Sequence, residues 1–411
     1  MNAPKQPSIF NVAVIVAALG YFVDIYDLLL FGIIRIPSLR SLGLTEEQIL
    51  TDGESILQWQ MWGLLIGGII AGIIGDKRGR LSVLFGSIIL YSLANIANGL
   101  VQNVEQYKCI RFIAGLGLAG ELGAGITLVS EIISKEKRGI ATSLVAGIGL
   151  TGAVVAFVMK ENFHWRTCYF IGGGLGLLLL ILRISVFESG MFHQVKQTNA
   201  ERGNIFMLFT NGERFKKYLC GILIGLPTWF VIGVLVSFSS EFAKWFGIKD
   251  KVDPGKAIMY AYAAISIGDI AIGFVSQWLK SRKKALFLFY AITVVFIVLF
   301  FTTLKNGTAD QLYWICAGLG FGTGFWAIFV TMGAEQFGTN LRATAATTIP
   351  NMVRGMLAFF IIPLFKWLRG MDGVGYVNGA IYTAIIIMVI TIIAALLTKE
   401  TFNKDLNFIE Q

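Results

Sequence analysis

The sequence predicts an all-helical membrane protein whose twelve transmembrane helices form two related six-helix bundles. Composition is the first of three observations behind this prediction. Of the 411 residues, 55% are hydrophobic and only 14% are charged, and the mean hydropathy is +0.71. A soluble protein would carry roughly a quarter of its residues as charged side chains to cover its surface. Most of this chain therefore avoids water, which excludes a soluble enzyme.

The second observation is a series of apolar stretches that are long enough to cross a bilayer, which takes roughly 20 residues each. They cover 11–36, 56–75, 81–101, 106–131, 139–159, 166–187, 216–240, 257–279, 285–304, 311–334, 343–366 and 376–398. The longest polar interruption follows the sixth stretch. We therefore expect an N-terminal bundle at 1–187, a cytoplasmic linker at 188–215 and a C-terminal bundle at 216–411.

The third observation is an internal repeat. A shift of 204 positions superimposes rare charged residues at matching helix ends, together with small residues: Arg78 on Arg282, Gly120 on Gly324, Glu131 on Glu335, Arg138 on Arg342 and Ala141 on Ala345. Apolar composition alone would seldom align the charges. Repeats of this kind relate the two halves of many transporters, with one polar site near the bilayer midplane between them.

The distribution of basic residues predicts the orientation. With the N-terminus inside, the cytoplasmic connections carry more Lys and Arg than the outer ones, as the positive-inside rule requires. The net charge of +9 is thus an orientation signal, and we expect no nucleic-acid partner. We expect a monomer in the plasma membrane, the inner membrane in a bacterium, with both termini cytoplasmic.

The loop between the second and third spans carries a specific motif. Residues 72–81 read Gly-Ile-Ile-Gly-Asp-Lys-Arg-Gly-Arg-Leu. This resembles the cytoplasmic signature of the major facilitator superfamily, G-x-x-x-D-[RK]-x-G-R-[RK], and departs from it at Leu81. The resemblance implies a cytoplasmic gate in which charged residues of both halves pair across the inner seam. Its expected members are Gly72, Asp76, Gly79, Arg80, Glu131, Arg138, Arg282, Glu335 and Arg342.

Two further elements resemble the metabolite:proton symporter branch of that superfamily, which is related to sugar-porter and organic-ion transporters. They are Asp24-Ile-Tyr26-Asp27 in the first span and Gly120-Glu121 in the fourth. The paired glutamines of sugar porters are absent from the seventh span, where 225–230 reads Gly-Leu-Pro-Thr-Trp-Phe. A sugar is therefore not the first expectation for the solute.

Acidic residues inside the spans are candidates for proton coupling. A charge at the centre of a membrane helix costs about 2.5–3.5 kcal/mol on insertion scales, so it is usually paired or functional. Asp24 and Asp27 share one side of a helix. We expect Asp27 to carry the proton and Arg111 to be its partner, with Asp24 as second candidate and Glu121 in the proton path or at the solute. The alternatives are a purely structural Asp27–Arg111 pair and a Glu121 that only binds a neighbouring helix.

A polar stripe on the eleventh span is the candidate solute site. Thr347, Asn351 and Arg354 recur at helical spacing around a helix break expected at Pro350. An arginine with neutral hydrogen-bonding neighbours suits a carboxylate. Pairing of Arg354 with Asp269 is the structural alternative. The other candidate solute contacts are Tyr26, Trp229 and Trp326.

These features predict a secondary transporter that couples proton flow to uptake of a small organic solute, carboxylate-bearing by preference, through alternating access. We expect no enzyme activity, cofactor or metal. The G-x-G-x-x-G pattern at 115–120 lies inside an apolar helix, where it indicates close packing and not a dinucleotide site. Three alternatives stay open: a proton-driven exporter of drugs or metabolites, an uncoupled facilitator and, more remotely, a non-transporting receptor or scaffold. The exporters' Gly-Pro element is missing from 147–153.

Overall fold

The computed structural model describes residues 11–134, 136–184 and 203–410, and these ranges are nearly all helix and contain no strand. Among these described residues, twelve helices are long and apolar enough to span a membrane. They are α1 Val12–Ser41, α2 Glu46–Arg78, α3 Arg80–Asn98, α4 Val104–Ile132, α5 Arg138–Asn162, α6 Trp165–Arg183, α7 Gly212–Val236, α8 Pro254–Trp278, α9 Arg282–Thr303, α10 Ala309–Gln336, α11 Arg342–Arg369 and α12 Gly375–Leu397.

Each helix coincides with one predicted span, although several extend beyond it. The first runs on through Pro37 to Ser41. Most of the expected linker at 188–215 lies outside the described residues, and what is described there includes the short helix Met207–Thr210. The bundle boundaries therefore stay a prediction.

Helix packing separates a buried centre from a lipid-facing rim. The most buried spans are α1, α4, α7 and α10, at 78 to 89%, whereas the other eight are 39 to 61% buried. Along the chain, every third helix, beginning with α1, is thus largely buried. The two halves meet where α5 packs along α8 and α2 along α11. The predicted proton and solute residues lie on the buried helices, with the exception of the stripe on α11.

Several spans are interrupted near their middle. α4 consists of Val104–Leu118 and Glu121–Ile132, and α10 consists of Ala309–Gly322 and Trp326–Gln336. The break expected at Pro350 is wrong, because the helix continues from Arg342 to Met356 and changes to a π-helix only at Leu357–Ile361. Membrane helices accommodate proline when their neighbours satisfy the carbonyl that it leaves free.

Glycines allow the central helices to touch backbone to backbone. A Cβ at Gly115 of α4 would collide with the Gln60 carbonyl of α2, and one at Gly320 of α10 would collide with the Ala261 carbonyl of α8. This contact agrees with the packing interpretation of the G-x-G-x-x-G pattern.

Gly115→Ala should therefore destabilise the protein, because a methyl group inserted into a close-packed contact costs about 1–3 kcal/mol. Gly86→Ala is the matched control, since nothing lies within 4 Å of a Cβ at that position on α3. Thermal unfolding in detergent should show a lower midpoint for Gly115→Ala and little change for Gly86→Ala. Equal midpoints for the two variants would contradict the packing account.

Candidate functional site

The first half contains a buried ion pair between α1 and α4. Arg111 donates from Nη1 to Oδ1 of Asp27 over 2.8 Å and from Nη2 to the Asp27 carbonyl oxygen over 3.1 Å. Both side chains are fully buried. The Arg111 guanidinium also lies 5.9 Å from the centroid of the Tyr169 ring. The predicted partners therefore meet, and a change in the protonation of Asp27 would leave Arg111 without its counterion.

A second buried pair joins α4 to α6. Arg183 donates to both carboxylate oxygens of Glu121, with 3.1 Å between Nη1 and Oε2, and to the Leu84 carbonyl over 3.0 Å. A Cβ at Gly20 of α1 would collide with both charged groups. Glu121 is thus held by a charge. Arg183 was not predicted as a site residue, although an arginine inside the apolar stretch 166–187 could have indicated a buried ion pair.

Asp24 is a buried carboxylate of the centre without a partner among the described residues. It is fully buried, and neither carboxylate oxygen receives a hydrogen bond from the part of the chain that the structure describes. Asp27, three residues along the same helix, is paired with Arg111, so the two neighbouring carboxylates differ in whether a cation holds them.

Arg354 and two tryptophans form the polar centre of the second half. Arg354 is 4% exposed, donates from Nη1 to Oδ1 of Asn351 over 3.1 Å and lies 5.9 Å from the centroid of the Trp326 ring. Trp229 packs edge to face on Trp326, with 6.5 Å between the centroids. Within the described ranges, Arg354 Nε and both indole N–H groups find no acceptor. Three buried donors and two aromatic faces thus converge on one place.

The other residues of the α11 stripe join the two halves. Asn351 donates from Nδ2 to the Ala119 carbonyl over 2.9 Å, at the interruption of α4. Thr347 lies against Gly123, also on α4. These two residues therefore hold Arg354 beside the first half.

The structure also gives the hydrogen-bond partners of Asp269 and Tyr26. The Arg354–Asp269 pair is not formed, because Asp269 instead accepts a hydrogen bond of 2.9 Å from the Ala327 amide and caps the second segment of α10. The Tyr26 hydroxyl donates to the Cys168 carbonyl of α6 over 2.9 Å, and a contact of Tyr26 with the solute stays a prediction.

The predicted gate residues come together at one end of the bundles. We call this group the latch: Asp76, Arg80, Glu131, Arg138, Arg282, Glu335 and Arg342. Glu131 binds Arg80 of its own half and Arg342 of the other half, each over 2.8 Å. We call the end of the bundles where these residues lie the latch face. All three side chains are fully or almost fully buried, so their contact closes the latch face.

Glu335 repeats this arrangement from the second half. It binds Arg282 over 3.1 Å and Arg138 of the first half over 3.5 Å. Glu131 and Glu335 are equivalent in the internal repeat, so each half supplies one carboxylate that bridges arginines of both halves.

Asp76 supplies a further link by capping a helix. It accepts hydrogen bonds from the amides of Ala343 and Thr344 over 3.0 and 2.8 Å, at the N-terminus of α11, where a carboxylate is favourable. Gly72 lies against the Thr344 backbone. Gly79 has φ +106°, a conformation that other residues rarely adopt. The motif thus connects α2 directly to the second half.

The segment after α12, residues 399–410, reinforces the latch and was not predicted. Thr401 donates to Glu335 over 2.7 Å, and Arg138 donates to the Lys404 carbonyl over 3.4 Å. Arg342 donates to the carbonyl of Leu406, which is fully buried. Partial burial raises the pKa of Glu400, but its hydrogen bonds from the Ser281 hydroxyl and the following amides outweigh that effect and keep this pKa below its usual range.

The arrangement offers ion pairs, hydrogen-bond donors and aromatic faces. Across the described ranges, no three or more His, Cys, Asp or Glu side chains gather as a metal ion would require. The arrangement can bind a charged solute and exchange protons without making or breaking other covalent bonds.

Comparison with known proteins places the chain in a family. Residues 12–363 match the family described as the Major Facilitator Superfamily. The chain is 26% identical over 366 residues to the niacin transporter NiaP of Acinetobacter baylyi, covering 80% of this chain and 81% of that protein. It is 25% identical over 408 residues to the cis,cis-muconate transport protein of the same organism, covering 95% of each.

A solved structure shows the same fold. The proton:xylose symporter XylE superimposes with a TM-score of 0.75 at 17% identity, over 97% of this chain and 98% of that one. Together with the twelve membrane-spanning helices and the family match over most of the chain, these findings make the protein an integral membrane transporter and not an enzyme. The chain belongs to the Major Facilitator Superfamily.

Proposed function

We propose that this transporter couples inward proton flow to the uptake of a small, planar organic solute that carries a carboxylate. The observation that carries the proposal is a group of three buried donors without acceptors among the described residues: Arg354 Nε and the indole N–H groups of Trp229 and Trp326. The similarity to transporters of niacin and cis,cis-muconate supports it, because both of those solutes bear carboxylates.

Recognition of the solute follows from the chemistry of this group. A guanidinium binds a carboxylate through parallel, charge-assisted hydrogen bonds. The two indole rings can pack on a planar body while their N–H groups bind its polar atoms. Arg354 would thus recognise the charge of the solute, and Trp229 and Trp326 would recognise its planar shape. Asn351 would hold the guanidinium in place.

Proton coupling follows from the Asp27–Arg111 pair. A proton on Asp27 removes the charge that Arg111 neutralises, so the contact between α1 and α4 has two states of different charge. A ligand shifts such an equilibrium by its different affinity for the two states. Protonation and solute binding would together favour opening of the latch, on the face that we assign to the cytoplasm with both termini.

Uptake into proteoliposomes tests the proposal against its alternatives, with labelled nicotinate and cis,cis-muconate as probes. A proton symporter should accumulate at least one probe when the interior is alkaline. A proton-driven exporter would accumulate it only under the opposite gradient, and a facilitator would stop at equal concentrations. A scaffold would show no flux. Any of the last three results would refute proton-coupled uptake.

Asp27→Asn should abolish uptake against a gradient while leaving exchange of solute across the membrane largely intact, because an amide cannot release a proton. Gradient-driven accumulation and counterflow, measured in the same proteoliposomes, would show the difference. If the variant still accumulates solute, Asp27 is not the coupling residue and Asp24 becomes the one to test.

Arg354→Lys should weaken solute binding about tenfold or more, since lysine keeps the charge but loses the planar fork. A hydrogen bond to a charged group contributes about 1.5–3 kcal/mol. Binding to the purified protein can be measured by calorimetry, with the exposed Lys284→Ala as control. Normal binding by Arg354→Lys, or a clear preference for cationic solutes, would contradict the carboxylate site.

Asp76→Asn and Arg80→Ala should each shift the resting protein towards the inward-facing state, because each weakens contacts that close the latch face. The measurement is the reactivity of single cysteines placed at the latch-face ends of α4 and α10, in a background without native cysteines. Lys284→Ala, which removes an exposed cation from the same face, should leave reactivity unchanged. If all three variants behave alike, the latch does not control access.

A further inference from the structure

A chain of buried hydroxyl groups crosses the first half between the ion pair and the face opposite the latch. The phenol oxygens of Tyr107 and Tyr169 lie 2.8 Å apart, and Tyr107 donates to the Ser38 hydroxyl over 3.5 Å. All three residues are fully buried. Tyr107 and Tyr169 belong to a second cluster of buried apolar residues, which also contains Leu30, Phe31, Ile34, Leu39, Val101, Trp165 and Cys168. We call Ser38, Tyr107 and Tyr169 the hydroxyl chain.

The two ends of the hydroxyl chain lie at functionally different places. At its inner end, the ring of Tyr169 lies against the Arg111 guanidinium, which holds Asp27. At its outer end, the Ser41 hydroxyl donates to the Ser38 carbonyl over 2.7 Å, and Ser41 lines an open cleft of about 500 Å³. The Ser38 hydroxyl itself donates to the Arg35 carbonyl over 3.0 Å. The hydroxyl chain thus lies between this cleft and the Asp27–Arg111 pair, within an otherwise apolar layer.

The charged and titratable groups around this route fall into two sets. Asp27 and Arg111 face its inner end. Arg40, Lys160 and His164 line the outer cleft.

We propose that the hydroxyl chain is the path by which protons reach Asp27 from the face opposite the latch, an inference that rests on the proposed proton coupling. Each hydroxyl can accept a proton on its oxygen while releasing its own to the next oxygen. For inward transfer the bond in which Tyr107 donates to Ser38 must reverse, so that Ser38 donates to Tyr107 and Tyr107 to Tyr169. One proton then enters at Ser38, and the Tyr169 hydroxyl must approach Oδ2 of Asp27 to deliver one, because that oxygen accepts no hydrogen bond from the described residues. The hydroxyls end neutral, and only O–H bonds change.

A purely structural role explains this arrangement less well. A buried hydroxyl is costly unless it is hydrogen-bonded, and replacing both partners of a buried hydrogen bond by apolar groups is often nearly neutral. Phenylalanine at 107 and 169 would thus fill the apolar cluster at little cost. Three neighbouring buried hydroxyls that lie between an open cleft and a buried carboxylate suit the transfer of a proton.

Tyr107→Phe, Tyr169→Phe and Ser38→Ala test the path, because each removes one hydroxyl and little else. Proteoliposomes with an internal pH dye would report proton entry, and labelled nicotinate or muconate would report uptake and counterflow. We expect proton entry and gradient-driven uptake to slow tenfold or more while counterflow stays within twofold of the unaltered protein. Tyr290→Phe is the matched control, since that buried phenol donates over 2.9 Å to the Ile224 carbonyl in the second half.

Two results would overturn the path. One is proton entry at the normal rate in all three variants. The other is a parallel loss of counterflow and thermal stability, which marks a structural role, and Ser38→Ala keeps this distinction available if a tyrosine variant fails to fold. If the unaltered protein itself shows no proton-driven uptake, the proposed function fails, and the path fails with it. That result is distinct from normal coupling in variants of a proton-driven transporter.

Discussion

The compensation of buried charge is the constraint on which the rest of this structure depends. A charge inside the bilayer that loses its partner costs several kcal/mol, so the protein pairs carboxylates with arginines between helices. Asp27 and Arg111 bind α1 to α4, Glu121 binds α4 to α6, and Glu131 bridges the halves at the latch face. Each pair fixes helices to each other only while both partners stay charged.

Glycines leave room for some of these charged contacts. A Cβ at Gly20 of α1 would collide with the Glu121–Arg183 pair, and one at Gly139 of α5 would collide with the Arg282 guanidinium. The interruptions of α4 and α10 lie in the same central layer. The amide of Ala327 at one interruption binds Asp269, and the carbonyl of Ala119 at the other binds Asn351. Broken helices thus supply backbone groups where the two halves meet.

The spans and the latch could be predicted because their signals are local or repeated. A run of apolar residues indicates a membrane helix by itself, and Glu131 and Glu335 occupy equivalent places in the repeat. Other features depend on which distant residues meet after folding. They are the Arg183–Glu121 pair, the contacts of segment 399–410 and the hydrogen bond of Tyr26. Hydropathy carries no such information. The helix through Pro350 departs from prediction for the same reason, since the surrounding helices decide whether a proline interrupts a buried helix.

The central claim is that solute and proton bind to one coupled system, and linkage at equilibrium tests it most directly. Two coupled sites change each other's affinity by the same factor. Adding nicotinate or cis,cis-muconate to the purified protein in weakly buffered detergent should raise the pH, because solute binding draws a proton onto Asp27. We expect the unaltered protein to take up protons in this way, and we expect Asp27→Asn to lose this proton uptake. Solute binding to the unaltered protein with no exchange of protons at any pH would contradict it.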